Sequence, residues 1–175
     1  MQNHLVIASL GQNQPGIVDQ FSKAIRDSGC NIVDSRMTVL GGEFAMILMV
    51  SGTWNAIAKI EDMLPRLEER LALSITAKRT DSPKPAATFV PYAVDVVSLD
   101  RPGIVNDIAH FFVTRDINIQ DMYTNSYHAD HTGTPMFSLH MTINIPSRLS
   151  IAALRGEFMD FCDHLNLDAI IEPVK

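Results

Sequence analysis

Two short passages of this chain recur at one fixed distance. Pro15-Gly16-Ile17-Val18 returns as Pro102-Gly103-Ile104-Val105, and Asn31-Ile32-Val33-Asp34 returns as Asn118-Ile119-Gln120-Asp121, with an offset of 87 residues in both cases. A constant offset means that nothing was inserted or lost between the two passages. The period is too long for a solenoid repeat and describes two copies of one small domain. Each copy then holds roughly 80 residues, a size that buries little core by itself, so the copies are expected to support each other.

Periodicity gives the element order. His4 to Leu10 reads as a strand, Gly11 to Gln14 as a turn, and a helix is expected near Pro15, because proline is pre-set for the first helical position. Ile17, Phe21, Ala24 and Ile25 form its apolar stripe, and Gly29 is its expected stop. Asn31 to Leu40 and Phe44 to Val50 read as a hairpin turned by Gly41-Gly42. Thr53 caps a second helix with Trp54, Ile57, Ile60, Leu64 and Leu67 inward, and Pro65 is expected to kink or interrupt it. Leu71 to Ala77 supplies the last strand.

The predicted class is therefore α+β: two ferredoxin-like βαββαβ domains, each an antiparallel sheet with its helices on one face. The expected boundaries are residues 1–79 for the first domain, 80–91 for a linker and 92–175 for the second. In the second copy, Phe137 matches Phe44 at an offset of 93 rather than 87, so its hairpin loop, Tyr127 to Pro135, is longer by six.

The two sheets differ on the face away from their helices. Phe137 to Ile143 alternates apolar and polar residues, the pattern of a strand with one wet face. The matching strand Phe44 to Val50 is apolar on both faces, and Ala45, Ile47 and Met49 point away from the helices, with Val6 and Ala8 beside them. Such a patch marks a contact surface, covered either by a second chain, as in a homo-oligomer, or by another partner.

Charge removes several function classes. Residues 1–80 carry eight Lys/Arg and eight Asp/Glu, and residues 81–175 carry six and twelve. Neither half offers the clustered cations that neutralise phosphates, so direct nucleic-acid binding is not expected. The longest apolar run, Phe44 to Val50, is too short to span a bilayer. Cys30 and Cys162 form no close pair and suit a reducing compartment, with the cytoplasm as the expected location.

The candidate site is the repeated Pro-Gly turn. A helix start leaves backbone N–H groups unpaired at the positive end of the dipole, and glycine lets a ligand approach them. A free amino acid has a carboxylate to place there, and Asn31 and Asn118 can supply acceptors for its ammonium group. The plain alternative is that Pro-Gly only starts a helix. His128-Ala129-Asp130-His131 lacks further ligands for a metal, Asp34 and Asp121 read as turn caps or ion pairs, and Cys30 as a buried thiol. No nucleophile or acid–base constellation is present, so no catalytic residue, metal or cofactor is assigned and an enzyme is not expected.

Asp100-Arg101-Pro102-Gly103-Ile104-Val105 resembles the signature of ACT domains, small ferredoxin-like modules that sense amino acids. Gly29 to Arg36, with Gly42-Glu43-Phe44 and Ser51 to Asn55, resembles the glycine cleavage system transcriptional repressor family, which consists of two ACT domains and little else. The resemblance implies a non-enzymatic regulator that binds glycine and restrains a LysR-type activator by protein contact. A detached regulatory subunit of an amino-acid or one-carbon enzyme is the alternative. Carried over, the ligand loops are Asn13 to Ile17, including Gly16, and Asp100 to Ile104, including Gly103, with Asn31 and Asn118 closing the pockets, within a copy or across the interface between copies. The first copy departs from the signature, with Asn13-Gln14 in place of Asp-Arg.

Overall fold

The structure, a computed structural model, describes residues 2–82 and 88–175. The chain forms two compact units, residues 1–84 and 85–175. The first holds β1 (Asn3–Gln12), α1 (Ile17–Ser28), β2 (Asn31–Leu40), β3 (Glu43–Gly52), α2 (Trp54–Leu71) and β4 (Leu73–Thr80). The second repeats the order as β5 (Phe89–Leu99), α3 (Ile104–Val113), β6 (Asn118–His128), β7 (Pro135–Pro146), α4 (Ile151–His164) and β8 (Asp168–Pro173). Each sheet is antiparallel, in the order β2-β3-β1-β4 or β6-β7-β5-β8, which is the ferredoxin-like plan the repeat predicts.

Each unit owns its core. Leu5, Ile7, Leu48 and Val50 meet Phe21, Ile57 and Ile60 in the first, and Val94, Met141 and Ile143 meet Ile108, Phe112 and Phe158 in the second. Gly29 ends α1 in the left-handed conformation at φ 85°, and the Thr53 side chain accepts from the Ala56 N–H to cap α2, both as the sequence predicts.

Five details depart from expectation. Pro15 lies outside α1, because Gly16 precedes the first helical residue with φ at 93°, a backbone that no helical position shares. Pro65 does not break α2: it sits on the exposed side, while Ile60, Leu64, Leu67 and Leu71 bury the opposite stripe on both sides of it. Trp54 points outward, 61% exposed, with the Arg79 guanidinium 5.6 Å above its ring, because the buried face of α2 begins at Ala56. Leu71 is the last residue of α2 and β4 starts at Leu73, after Ala72 turns the chain at φ 51°. β5 starts at Phe89, earlier than Tyr92, and residues 83–87 of the expected linker lie outside the described residues.

The repeated Asn-Ile-x-Asp passage has a structural meaning. In both units the strand register shifts across it, between Ile32 and Asp34 and between Ile119 and Asp121. Val33 and Gln120 are the extra residues of matching β-bulges.

Candidate functional site

The two Pro-Gly turns have nearly the same backbone. Gly16 sits at φ 93°, ψ −5° and Gly103 at φ 94°, ψ −5°, and neither helix start receives a side-chain cap. The amides of the first turn therefore face outward at the positive end of each helix. Ile17 and Ile104, each 2% exposed, plug the helix starts into their cores, so these residues offer backbone rather than side chain to a ligand. The loops are tied from behind in the same way. The Asn13 N–H donates to the Gly42 carbonyl and the Asp100 N–H to the Pro135 carbonyl, both at 3.0 Å.

Neither mouth is blocked. A Cβ at Gly16 would find only Gln20 Nε2, at 3.8 Å, and one at Gly103 only Arg101 Nη1, at 3.9 Å. At the second mouth an open cleft of about 510 Å³ is lined by Arg101, Gly103, Ile104, Val105, Asn106, Ala109 and Phe137. That space exceeds the volume of a small amino acid severalfold.

The mouths differ in charge. Arg101 Nη2 donates to Asp107 Oδ2 at 3.0 Å, and Nη1 to the Pro102 carbonyl at 3.2 Å. A cation and an anion thus stand together beside the Gly103 cleft, a pattern complementary to a zwitterion. At the offset of 87 the same positions in the first unit are Gln14 and Gln20, both neutral. Gln14 Nε2 is spent on the Leu71 carbonyl at the end of α2, at 2.6 Å. Sequence reasoning missed Asp107; the signal available was an acidic residue four places beyond the glycine in one copy only.

Asn31 and Asn118 do not join these mouths within a unit. Asn31 pairs with Ser51, which pairs with His4, whereas Gln12, just before the Gly16 loop, pairs with Glu43. Eight residues of β1 separate the two levels, about 25 Å at strand rise. Asn118 pairs with Asn144, which pairs with Pro91, again eight residues of β5 from Leu99. Within one unit, one small molecule cannot touch both ends.

The remaining candidates have structural surroundings. Asp34 pairs with Arg36 at 2.5 Å and accepts from the Ser35 N–H, and the Arg36 guanidinium holds its carboxyl below the usual 3.8. Cys30 and Cys162 are buried free thiols, and burial, with Asp163 nearby, pushes Cys162 up to about 12. Among the described residues, no three His, Cys, Asp or Glu side chains gather in a metal-binding cluster. Among them, too, no helix is long and apolar enough to cross a membrane.

Residues 3–78 match the ACT domain. Along its whole length the chain is 34% identical, over 177 aligned residues, to the glycine cleavage system transcriptional repressor of Escherichia coli K12, covering 99% of this chain and 91% of that one. This chain belongs to the glycine cleavage system transcriptional repressor family. The Shigella flexneri repressor matches equally, whereas the UPF0237 protein MJ1558 of Methanocaldococcus jannaschii is 28% identical over 81 residues, 45% of this chain and 90% of its own. Among solved structures, a candidate glycine cleavage system transcriptional repressor superposes with a TM-score of 0.73 at 26% identity, covering 100% of this chain and 99% of that one. A protein from Galdieria sulphuraria superposes with a TM-score of 0.80 at 24% identity over 100% of both chains, and shares the fold.

Proposed function

We propose that this chain is a non-enzymatic transcriptional regulator that senses a small amino acid, glycine foremost, and represses glycine-cleavage genes through contact with a LysR-type activator. The observation that carries this reading is the likeness to a named repressor, which runs through 99% of the chain rather than one unit. The charge balance supports action by protein contact: neither half presents the basic surface that direct DNA binding needs. The buried thiols Cys30 and Cys162 suit the reducing cytoplasm.

In this reading the Gly103 mouth is the principal site. The ligand carboxylate meets the first-turn amides of α3 and the Arg101 guanidinium, and the ammonium group meets Asp107 and the exposed Asp100. The Gly16 mouth, with Asn13, Gln14 and Gln20, has the same backbone without the charges and binds more weakly. Glycine has five heavy atoms, so about −7.5 kcal/mol is the ceiling and a Kd of several micromolar the tightest outcome. Binding switches the regulator only by favouring one of two arrangements over the other.

Two measurements test the proposal. Calorimetry with glycine, serine and alanine should show saturable heat for glycine, and absence of heat with all three refutes the sensing role. Affinity capture of the tagged chain should retain a LysR-type protein, with retention dependent on glycine; capture of a metabolic enzyme in its place refutes the transcriptional role.

A further inference from the structure

The first sheet carries on its outer face the apolar patch that the sequence predicts, and strand register orders it into three rows from edge to edge. They read Asp34–Met49–Val6–Lys78, Arg36–Ile47–Ala8–Thr76 and Thr38–Ala45–Leu10–Ser74, across β2, β3, β1 and β4. Ile47 is 50% and Leu10 55% exposed, whereas Val6, Ala8, Ala45 and Met49 are half-buried. Polar and charged residues occupy both ends of every row, and apolar residues the middle.

Each row is complementary to its own reverse. Laid over a reversed copy, Ile47 falls on Ala8 and Leu10 on Ala45, a large side chain on a small one each time. Met49 falls on Val6, Arg36 on Thr76, and Asp34, whose carboxylate also holds Arg36 of its own strand, on Lys78. A two-fold axis parallel to the strands, running between β3 and β1, performs this reversal on all three rows at once. The usual crossing of aligned sheets, near 30°, displaces edge-strand residues by about 4 Å, within reach of a lysine side chain.

We infer that this face pairs with the same face of a second copy of the chain, two-fold related, with β3 over β1 and Asp34 over Lys78 of the other copy. The inference is independent of the ligand reading. The second unit fails the same test. Its rows include Asp121–Thr142–Ala93–Glu172, whose reversal sets Asp121 over Glu172, and its central row holds a polar pair, His140 Nδ1 to Asp95 at 2.5 Å. Only the first face is its own complement. Four strands 4.8 Å apart and six residues long present about 400 Å² per chain, the low end for a specific interface, so the dimer should be micromolar and concentration-dependent.

Sedimentation over a dilution series of the full chain, from about 1 to 300 μM, reads the mass across that range. The expected result is a monomer–dimer transition, abolished by Ile47→Lys, with the circular dichroism of the folded chain retained because Ile47 is half-exposed. Asp34→Lys and Lys78→Asp should each weaken the dimer about tenfold or more, since each sets like charges opposite. The double swap should return to within about threefold of the parent, because reversal then pairs the exchanged charges. Thr142→Lys, on the second face, should change nothing. A monomer at every concentration overturns the inference, as does a double swap no better than its parts. Dissociation by Thr142→Lys overturns it equally.

Discussion

Replacing Gly103 by valine separates ligand binding from folding, provided a matched control is made. Gly103 has φ at 94°, and a Cβ there would find its nearest atom, Arg101 Nη1, at 3.9 Å, so no clash follows. The cost is backbone strain, about 1–2 kcal/mol for an L-residue in the left-handed region. For a unit of this size that lowers the melting temperature by about 5–15 °C. Gly133, in the β6–β7 turn, also has a positive φ, 66°, with nothing within 4 Å of a Cβ, and lies in the same unit. Gly133→Val should therefore cost a similar amount without touching the mouth.

With a Kd near 10 μM, a little weaker than the ceiling for so small a ligand, 1 mM glycine stabilises the parent by about 2.7 kcal/mol, a rise of about 10–20 °C. Thermal unfolding with and without glycine reads all three proteins. The parent and Gly133→Val should both show the rise, whereas Gly103→Val should show none in its second unit. A Gly103→Val protein that keeps the parental shift, or a Gly133→Val protein that loses it, refutes the site.

Three further outcomes follow from the geometry. Arg101→Met should weaken glycine binding about tenfold or more by calorimetry while changing unfolding by less than about 1 kcal/mol, since the Arg101–Asp107 pair is partly exposed. Arg79 bonds Glu61 through two nitrogens, at 2.7 and 3.0 Å, and holds its carboxyl below the ordinary 4.5. Because the folded-state value is the lower one, the pair's small stabilisation is fully present above the ordinary value and fades as pH falls through the depressed one. Urea midpoints of the parent and Arg79→Met, followed by Trp54 fluorescence, should therefore differ at pH 6 and draw together as the pH is lowered below 4.5. Cys162, pushed up to about 12 by burial, should resist thiol reagents at pH 8 in the native chain and react at once in urea.

The fold was legible because its signals are local. Phe137 to Ile143 alternates with burial residue by residue, Gly29 and Thr53 cap helices through their own backbone or side chain, and the Pro-Gly copies share one backbone geometry. What was not legible required knowledge of what lies across the fold. Asn31 stands fifteen residues from Gly16 in the chain, but α1 carries the backbone the full length of the sheet between them, so proximity in sequence became separation in space. The repetition of Asn-Ile-x-Asp carries a shared bulge at Val33 and Gln120, which residue types alone do not display. Trp54 faces outward because helical phase, not residue type, decides which side of α2 meets water. The Arg101–Asp107 pair was invisible because it spans a left-handed glycine, outside the spacings that helical rules describe.

The central claim, that the start of α3 holds a zwitterion, is tested most directly by amide chemical shifts during a glycine titration. The account predicts saturable shifts concentrated on the amides of Gly103, Ile104, Val105 and Asn106 and on the Arg101 side chain, with smaller changes at Ile17 and Val18. Unmoved amides at Gly103 to Asn106 under millimolar glycine, or shifts confined to another part of the chain, would contradict it.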